Sequence, residues 1–285
     1  MILRARDRVV RFSRRPLVMG ILNLGEGSFS GDALADTDEA LRRARQMARE
    51  GADMVDVGAV SASTGAPDIP EEEEMARLLP LVRRYAEEMG AEAPLLSINT
   101  WRPGVARAVL SAGGDLLNDM SALPDEKNAR LCAETGAALL IMHNEGEPKK
   151  WHAYHAYEDV MGVLERFFEN RIALAESCGV AREALVLDPG IGFTKLRDDN
   201  LRILRELERL QRFERPLLLP VSRKRVIGEV LDVPAVERDA GTVACVVSVM
   251  RRGGHIVRVH NVRAAVAAIS AVEAVMHPRL QCAPL

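Results

Sequence analysis

The chain has 285 residues, 48% of them hydrophobic and 28% charged, with a net charge of −3. That length and ordinary composition suit a folded body with a sizeable core and exclude collagen, coiled coil and disorder. The longest apolar run, residues 242–250, is about half of what a membrane span needs.

The N-terminal residues lack the apolar stretch of a secretory signal, and Cys132, Cys178, Cys245 and Cys282 form no CxxC pair. A cytoplasmic enzyme is therefore expected, without membrane, disulfide framework or zinc site. Residues 1–15 carry six Arg and one Asp, a local +5 that leaves −8 for the rest. Two readings of this arm stand: a contact with an anionic surface, or a solvated strand pair leading into the first core strand. The acidity of the remainder argues against a nucleic-acid partner.

Short apolar runs then recur along the chain. Residues 17–22 end on Asn23, and 37–50 follow as an amphipathic helix. Residues 54–57 contain Asp56 and end on Gly58. After Pro70 the acids Glu71–Glu74 open a helix predicted over 71–89, where carboxylates complement the helix dipole. The run 94–98 ends on Asn99, and a helix is predicted over 103–112. The run 116–117 ends on Asn118 and Asp119, and 138–142 on His143 and Asn144. An irregular stretch over 144–157 contains His152 and His155, at a metal-ligand spacing, and is read as a surface loop with no acidic partner placed nearby. Residues 185–187 end on Asp188, with a helix predicted over 196–210. The run 216–221 leads to Ser222 and Lys224, and 256–259 contains Arg258 and leads to His260.

Eight strands alternating with helices predict a (β/α)8 TIM barrel in one domain spanning 1–285. A doubly wound open sheet is the competing fold, but its GxGxxG fingerprint is absent. Barrel enzymes build their sites at the C-terminal strand ends, where nearly every run here finishes on a polar residue. A carboxylate (Asp188), an amide (Asn118) and an ammonium (Lys224) suit the donor and acceptor edge of a flat, guanine-like or pterin-like heterocycle. Arg258 and His260, two residues apart on one strand face, suit an anion. Lys224 stands out in a chain with five lysines among 38 basic residues.

Seven blocks come in a distinctive order: Met19-Gly20-Ile21-Leu22-Asn23, Ser28-Phe29-Ser30, Asp56-Val57-Gly58, Leu117-Asn118-Asp119, Asp188-Pro189-Gly190-Ile191-Gly192-Phe193, Ser222-Arg223-Lys224 and Arg258-Val259-His260. On these the chain resembles the dihydropteroate synthase family over about residues 16–275. The resemblance implies condensation of 6-hydroxymethyl-7,8-dihydropterin diphosphate with p-aminobenzoate, releasing pyrophosphate with Mg2+. It implies that Asn118, Asp188 and Lys224 bind the pterin edge, with Met142 and Phe193 against its ring. Arg258 and His260 would hold the diphosphate, Asn23 would face Mg2+, and Ser222 belongs to the same substrate site. A homodimer is implied as well, with 242–250 and 262–276 as the candidate face.

Three segments depart from the family pattern. The first loop lacks the usual Asp and Pro. In the second loop Ala62 and Ser63 replace the Thr and Arg that meet p-aminobenzoate and diphosphate. Asn99 replaces an Asp at the third strand end. Losing that charge beside a ring that turns cationic costs on the order of 1.5–3 kcal/mol. The departures keep open a pterin-binding paralogue with another amine or no synthase activity, a folate-dependent methyl-transfer domain, and an altered response to sulfonamides.

Overall fold

The computed structural model describes residues 1–25, 33–34, 36–61, 68–90, 92–146, 148–149 and 154–276. Its eleven strands are β1 (Ile2–Ala5), β2 (Arg8–Arg11), β3 (Leu17–Leu24), β4 (Ala33–Leu34), β5 (Met54–Gly58), β6 (Leu95–Asn99), β7 (Leu116–Asp119), β8 (Ala138–Met142), β9 (Leu185–Asp188), β10 (Leu218–Leu219) and β11 (Ile256–Val259). The helices are α1 (Thr37–Arg49), α2 (Glu71–Glu88), α3 (Pro103–Ser111), α4 (Lys127–Thr135), α5 (Val160–Ser177), α6 (Arg197–Arg205), α7 (Arg225–Leu231), α8 (Asp239–Arg251) and α9 (Val262–Met276).

The parallel order is β10-β11-β3-β5-β6-β7-β8-β9. The remaining seam is closed by a bridge between Leu187 and Leu217 and by the Leu187 N–H donating to Pro216 O at 2.9 Å. This is the expected (β/α)8 barrel. Its strands are buried on both faces, which is why they read as unbroken apolar runs. Within the run 216–221 the regular strand is confined to Leu218–Leu219, since Pro216 and Pro220 have no N–H to give the ladder. The helix expected over 196–210 stops at Arg205, and a 3-10 turn over Leu207–Phe213 follows.

Period-two alternation sorts the strand residues into two cores. Val18, Val55, Leu96, Leu117, Leu139 and Val257 point outward against the helices. Met19, Met54, Leu95, Leu116, Leu140, Val186 and Ile256 fill the barrel interior. Each inward series becomes polar as it climbs: Met54 is followed two residues on by Asp56, Leu95 by Ser97 and Asn99, Leu116 by Asn118, Val186 by Asp188, and Ile256 by Arg258 and His260. The apolar floor and the polar mouth are thus consecutive steps on the same strand faces.

The basic arm forms the antiparallel pair β1–β2, but it is not solvated throughout. Leu3 and Ala5 are fully buried in the interior core. The arginines work at the strand starts. Arg6 donates to Gly114 O at 2.9 Å, Arg8 donates to Ala93 O and pairs with Asp115 at 3.6 Å, and Arg15 pairs with Asp53 at 3.7 Å. All four acceptors immediately precede or begin the turns into β5, β6 and β7, so the hairpin stoppers the barrel at the end away from the polar mouth.

Candidate active site

Ten of the predicted residues, Asn23, Asn99, Asn118, Met142, Asp188, Phe193, Ser222, Lys224, Arg258 and His260, line one cleft at the C-terminal strand ends. Ala62 and Ser63 lie outside the described residues; their neighbour Ser61 lines the same cleft. The described part of the stretch over 144–157 bears on the two histidines. His155 does meet an acid, with Nε2 at 3.4 Å from Glu145, while His152 lies outside the described residues. Among the described residues no group of three or more His, Cys, Asp or Glu gathers as a metal cluster.

At the centre beneath the cleft is Asp56, fully buried on β5. Its carboxylate accepts from two Arg258 guanidinium nitrogens at 2.7 Å, from Asn118 Nδ2 at 3.2 Å to both oxygens, and from the Ser97 hydroxyl. A carboxylate only accepts, so the Asn118 NH2 must face it, and the Asn118 carbonyl oxygen is the end presented to a ligand. The same carboxylate fixes one edge of the Arg258 fork, which leaves the other edge for an anion.

Asp188, 3% exposed, accepts the Gly190 N–H at 2.7 Å. Burial pushes its carboxyl up to about 6, against the pull of Lys224, Lys195 and Arg258. Burial pushes the Lys224 ammonium down to about 8, while Asp188 draws it back up. The Lys224 Nζ lies 4.6 Å from the centre of the Phe193 ring, a cation–π contact that holds both at the cleft wall.

Ser222 and His260 form a second unit. The Ser222 hydroxyl accepts the His260 backbone N–H at 3.2 Å and lies 2.8 Å from its Nδ1. In the tautomer in which the Ser222 hydroxyl donates to Nδ1, the neutral ring carries its proton on Nε2 as a donor. Arg223, in a left-handed conformation, is held by Asp239 at 2.8 Å and so keeps Lys224 aimed inward.

Asn99 is 6% exposed and its Oδ1 has no hydrogen-bond partner among the described residues. A buried acceptor in that state calls for a donor from a bound molecule. For a divalent cation, Asn23 offers an amide oxygen in a cleft that the cationic Arg258 and Lys224 also line. That fits Mg2+ held chiefly by substrate phosphate oxygens and water, the usual arrangement for this hard ion.

Two residues escaped the sequence reading. Asp56 appears there in its strand run and in a family block but with no role assigned, and period two from the inward Met54 was the signal that it faces the interior. Lys195 follows Phe193 and is 2% exposed; no pattern in one sequence marks a lysine for burial. The acids at the start of α2 carry more than dipole complementarity. Glu74 is buried, pairs with Arg102 at 3.0 Å, and burial raises its carboxyl above the ordinary range.

The sequence model of the family described as "Pterin binding enzyme" matches residues 19–260. The dihydropteroate synthase of Escherichia coli K12 is 37% identical over 262 residues, covering 92% of each chain. A Yersinia pestis dihydropteroate synthase solved with a sulfonamide drug complex superposes with a TM-score of 0.90 at 37% identity, covering 98% of this chain and 100% of that one. The Xanthomonas albilineans enzyme solved with 4-aminobenzoic acid gives 0.86 at 34% identity, over 97% and 99% of the two chains.

Proposed function

This chain belongs to the pterin-binding enzymes, and within them to the dihydropteroate synthases; from that premise we propose that it joins 6-hydroxymethyl-7,8-dihydropterin diphosphate to p-aminobenzoate and releases pyrophosphate. The observation that carries the reading is the convergence in one cleft of a heterocycle edge (Asn118, Asp188, Lys224) with an anion grip (Arg258, His260).

The pterin amidine edge presents two N–H groups, which suit the Asp188 carboxylate, and a further donor for the Asn118 carbonyl. Lys224 donates to an acceptor on the same ring edge. Phe193 and Met142 wall its faces. The C–O bond to the diphosphate breaks, the amine nitrogen forms the new C–N bond, and one amine proton is lost. Arg258 and His260 donate to the departing diphosphate, so negative charge is neutralised as it develops. Mg2+, with Asn23 as its protein ligand, would supply further charge neutralisation on the phosphates. Asp188 and Asp56 lie on the side where the ring becomes positive; Asn99 contributes hydrogen bonding without charge.

A pyrophosphate-release assay with pterin diphosphate, p-aminobenzoate and Mg2+, with the product identified by mass, tests this. Dihydropteroate that disappears in Asp188→Ala and Lys224→Ala supports it. Pterin binding without product favours the second reading, a paralogue using another amine. The observation behind that reading is the departure of Asn99, Ala62 and Ser63 together from the family pattern in the sequence.

The same changes lead us to expect a weaker response to sulfonamides than an ordinary synthase shows, checked by inhibitor titration of both enzymes side by side. A homodimer through α8 and α9 is part of the proposal, supported by the small apolar side chains that these helices leave half-buried. A cytoplasmic setting agrees with free Cys132, Cys178 and Cys245. Among the described residues no helix is long and apolar enough to cross a membrane.

A further inference from the structure

Beneath the loop that carries Asp188 and Phe193 lies a lysine that does not line the substrate cleft. Lys195 Nζ donates to Gly190 O and to Phe193 O, each at 3.1 Å, and so ties together both limbs of the loop. From the other side Asn200 accepts the Gly192 N–H at 2.7 Å and donates to Lys195 O and Leu196 O. The loop needs such ties. Gly190 and Gly192 are left-handed, as is Thr194 at φ 54, and a Cβ at Gly190 would run into the His143 carbonyl. Strain of this kind persists only where surrounding contacts over-determine the backbone.

We propose that Lys195 is a positioning residue for the heterocycle site: its buried ammonium holds the 188–195 loop in shape and supplies, from beneath, the positive field that keeps Asp188 ionised for ligand. The proposal rests on the pterin-binding reading above. Two carbonyl dipoles aimed at one Nζ account for the loop shape. Lys224, which lines the cleft, Lys195, which does not, and Arg258 are the three cations that act on Asp188, and Gly190 links two of these groups, its N–H held by Asp188 and its carbonyl by Lys195. Among the described residues the charged or titratable groups around Lys195 include Asp188, Glu145 after β8, Lys224 before α7, Asp199 on α6, His143, His155, whose backbone forms a bridge with that of Lys195, and Tyr157 beside Thr194. Burial pushes Lys195 down to about 7, so its charge is present over the acid range in which Asp188 titrates.

The test is calorimetric titration of 6-hydroxymethylpterin diphosphate into the full-length protein from pH 5.5 to 8.5, with thermal unfolding of each variant alongside. K195M keeps the length and loses the charge. It should weaken binding roughly tenfold to a hundredfold, the worth of a charged hydrogen bond, and move the acid limb of binding to higher pH. K195R keeps the charge but cannot place one nitrogen between the two carbonyls. It should bind more weakly than wild type with the acid limb unmoved, and it carries the test if K195M does not fold. Wild-type affinity in K195R or K195M overturns the positioning role, and an acid limb displaced in K195R or unmoved in K195M overturns the electrostatic one. If the wild-type protein takes no pterin diphosphate at any pH, the functional reading falls and this one with it.

Discussion

Replacing Asp188 by Asn should stabilise the ligand-free protein at neutral pH while abolishing its activity. Asn keeps the acceptor for the Gly190 N–H at 2.7 Å and the side-chain volume, and removes only the charge. The carboxyl rises from 3.8 to about 6 on folding, a value that already contains the attraction of Lys224, Lys195 and Arg258. At about 1.4 kcal/mol per pKa unit, the buried charge costs on the order of 3 kcal/mol. The sign follows from linkage: a carboxyl raised in the fold stabilises it fully below pH 3.8, and that contribution is lost as pH climbs through about 6. D188N should therefore gain stability over wild type at pH 7.5 and match it at pH 4. The assay is urea denaturation of both proteins at the two pH values, with pterin binding measured in parallel. A difference that does not change with pH, or a loss at pH 7.5, would refute the reasoning. In the wild-type protein, pterin binding should strengthen as pH passes about 6, where Asp188 ionises, and weaken from about 7 upward, where Lys195 and then, at about 8, Lys224 lose their protons.

Asp56→Asn should release Arg258 and let the Asn118 amide turn, lowering kcat/KM roughly tenfold to a hundredfold; steady-state kinetics checks this, with thermal unfolding to show that the fold survives. Asn99→Asp should restore a carboxylate beside the ring and raise kcat by roughly tenfold to a hundredfold, measured by single-turnover product formation; an unchanged or slower rate would show that the amide is no handicap here. Leu3→Ala should cost about 2–5 kcal/mol in denaturant unfolding and leave both KM values unmoved, because Leu3 is buried in the interior core on the hairpin at the opposite end of the barrel.

The fold was legible because a parallel strand buried on both faces leaves an unbroken apolar run, and because Asn23, Asn99, Asn118, Asp188 and His260 stand where those runs end. The cleft was legible for the same reason. Asp56 was harder, since its partner Arg258 is 202 residues away and nothing local announces that they meet. Lys195 was harder still: lysine is ordinarily a surface residue, and its burial depends on carbonyls turned inward by Gly190 and Gly192. The arginine arm misled in one respect. Six positive charges outweighed the alternation of Ile2-Leu3-Arg4-Ala5, which already marked Leu3 and Ala5 as facing the same way. Arg6, Arg8 and Arg15 find carbonyls and carboxylates at strand starts, and these are invisible until the barrel closes.

The place of β3 between β5 and β11 has a consequence for how the protein is made. On the ribosome β3 and β5 emerge in succession, and their edges can meet early. The other edge of β3, from Leu17 to Gly20, must wait for residues Ile256–Val259. A nascent chain therefore carries an open parallel edge through most of its synthesis, a state exposed to wrong pairing and slow to resolve. Asp56 belongs to β5 and Arg258 to β11, so the closing of that seam is also the moment when the carboxylate loses its water and gains its counter-charge. A carboxylate buried there without that counter-charge would be costly, so the seam that closes last carries the partner that the charge needs.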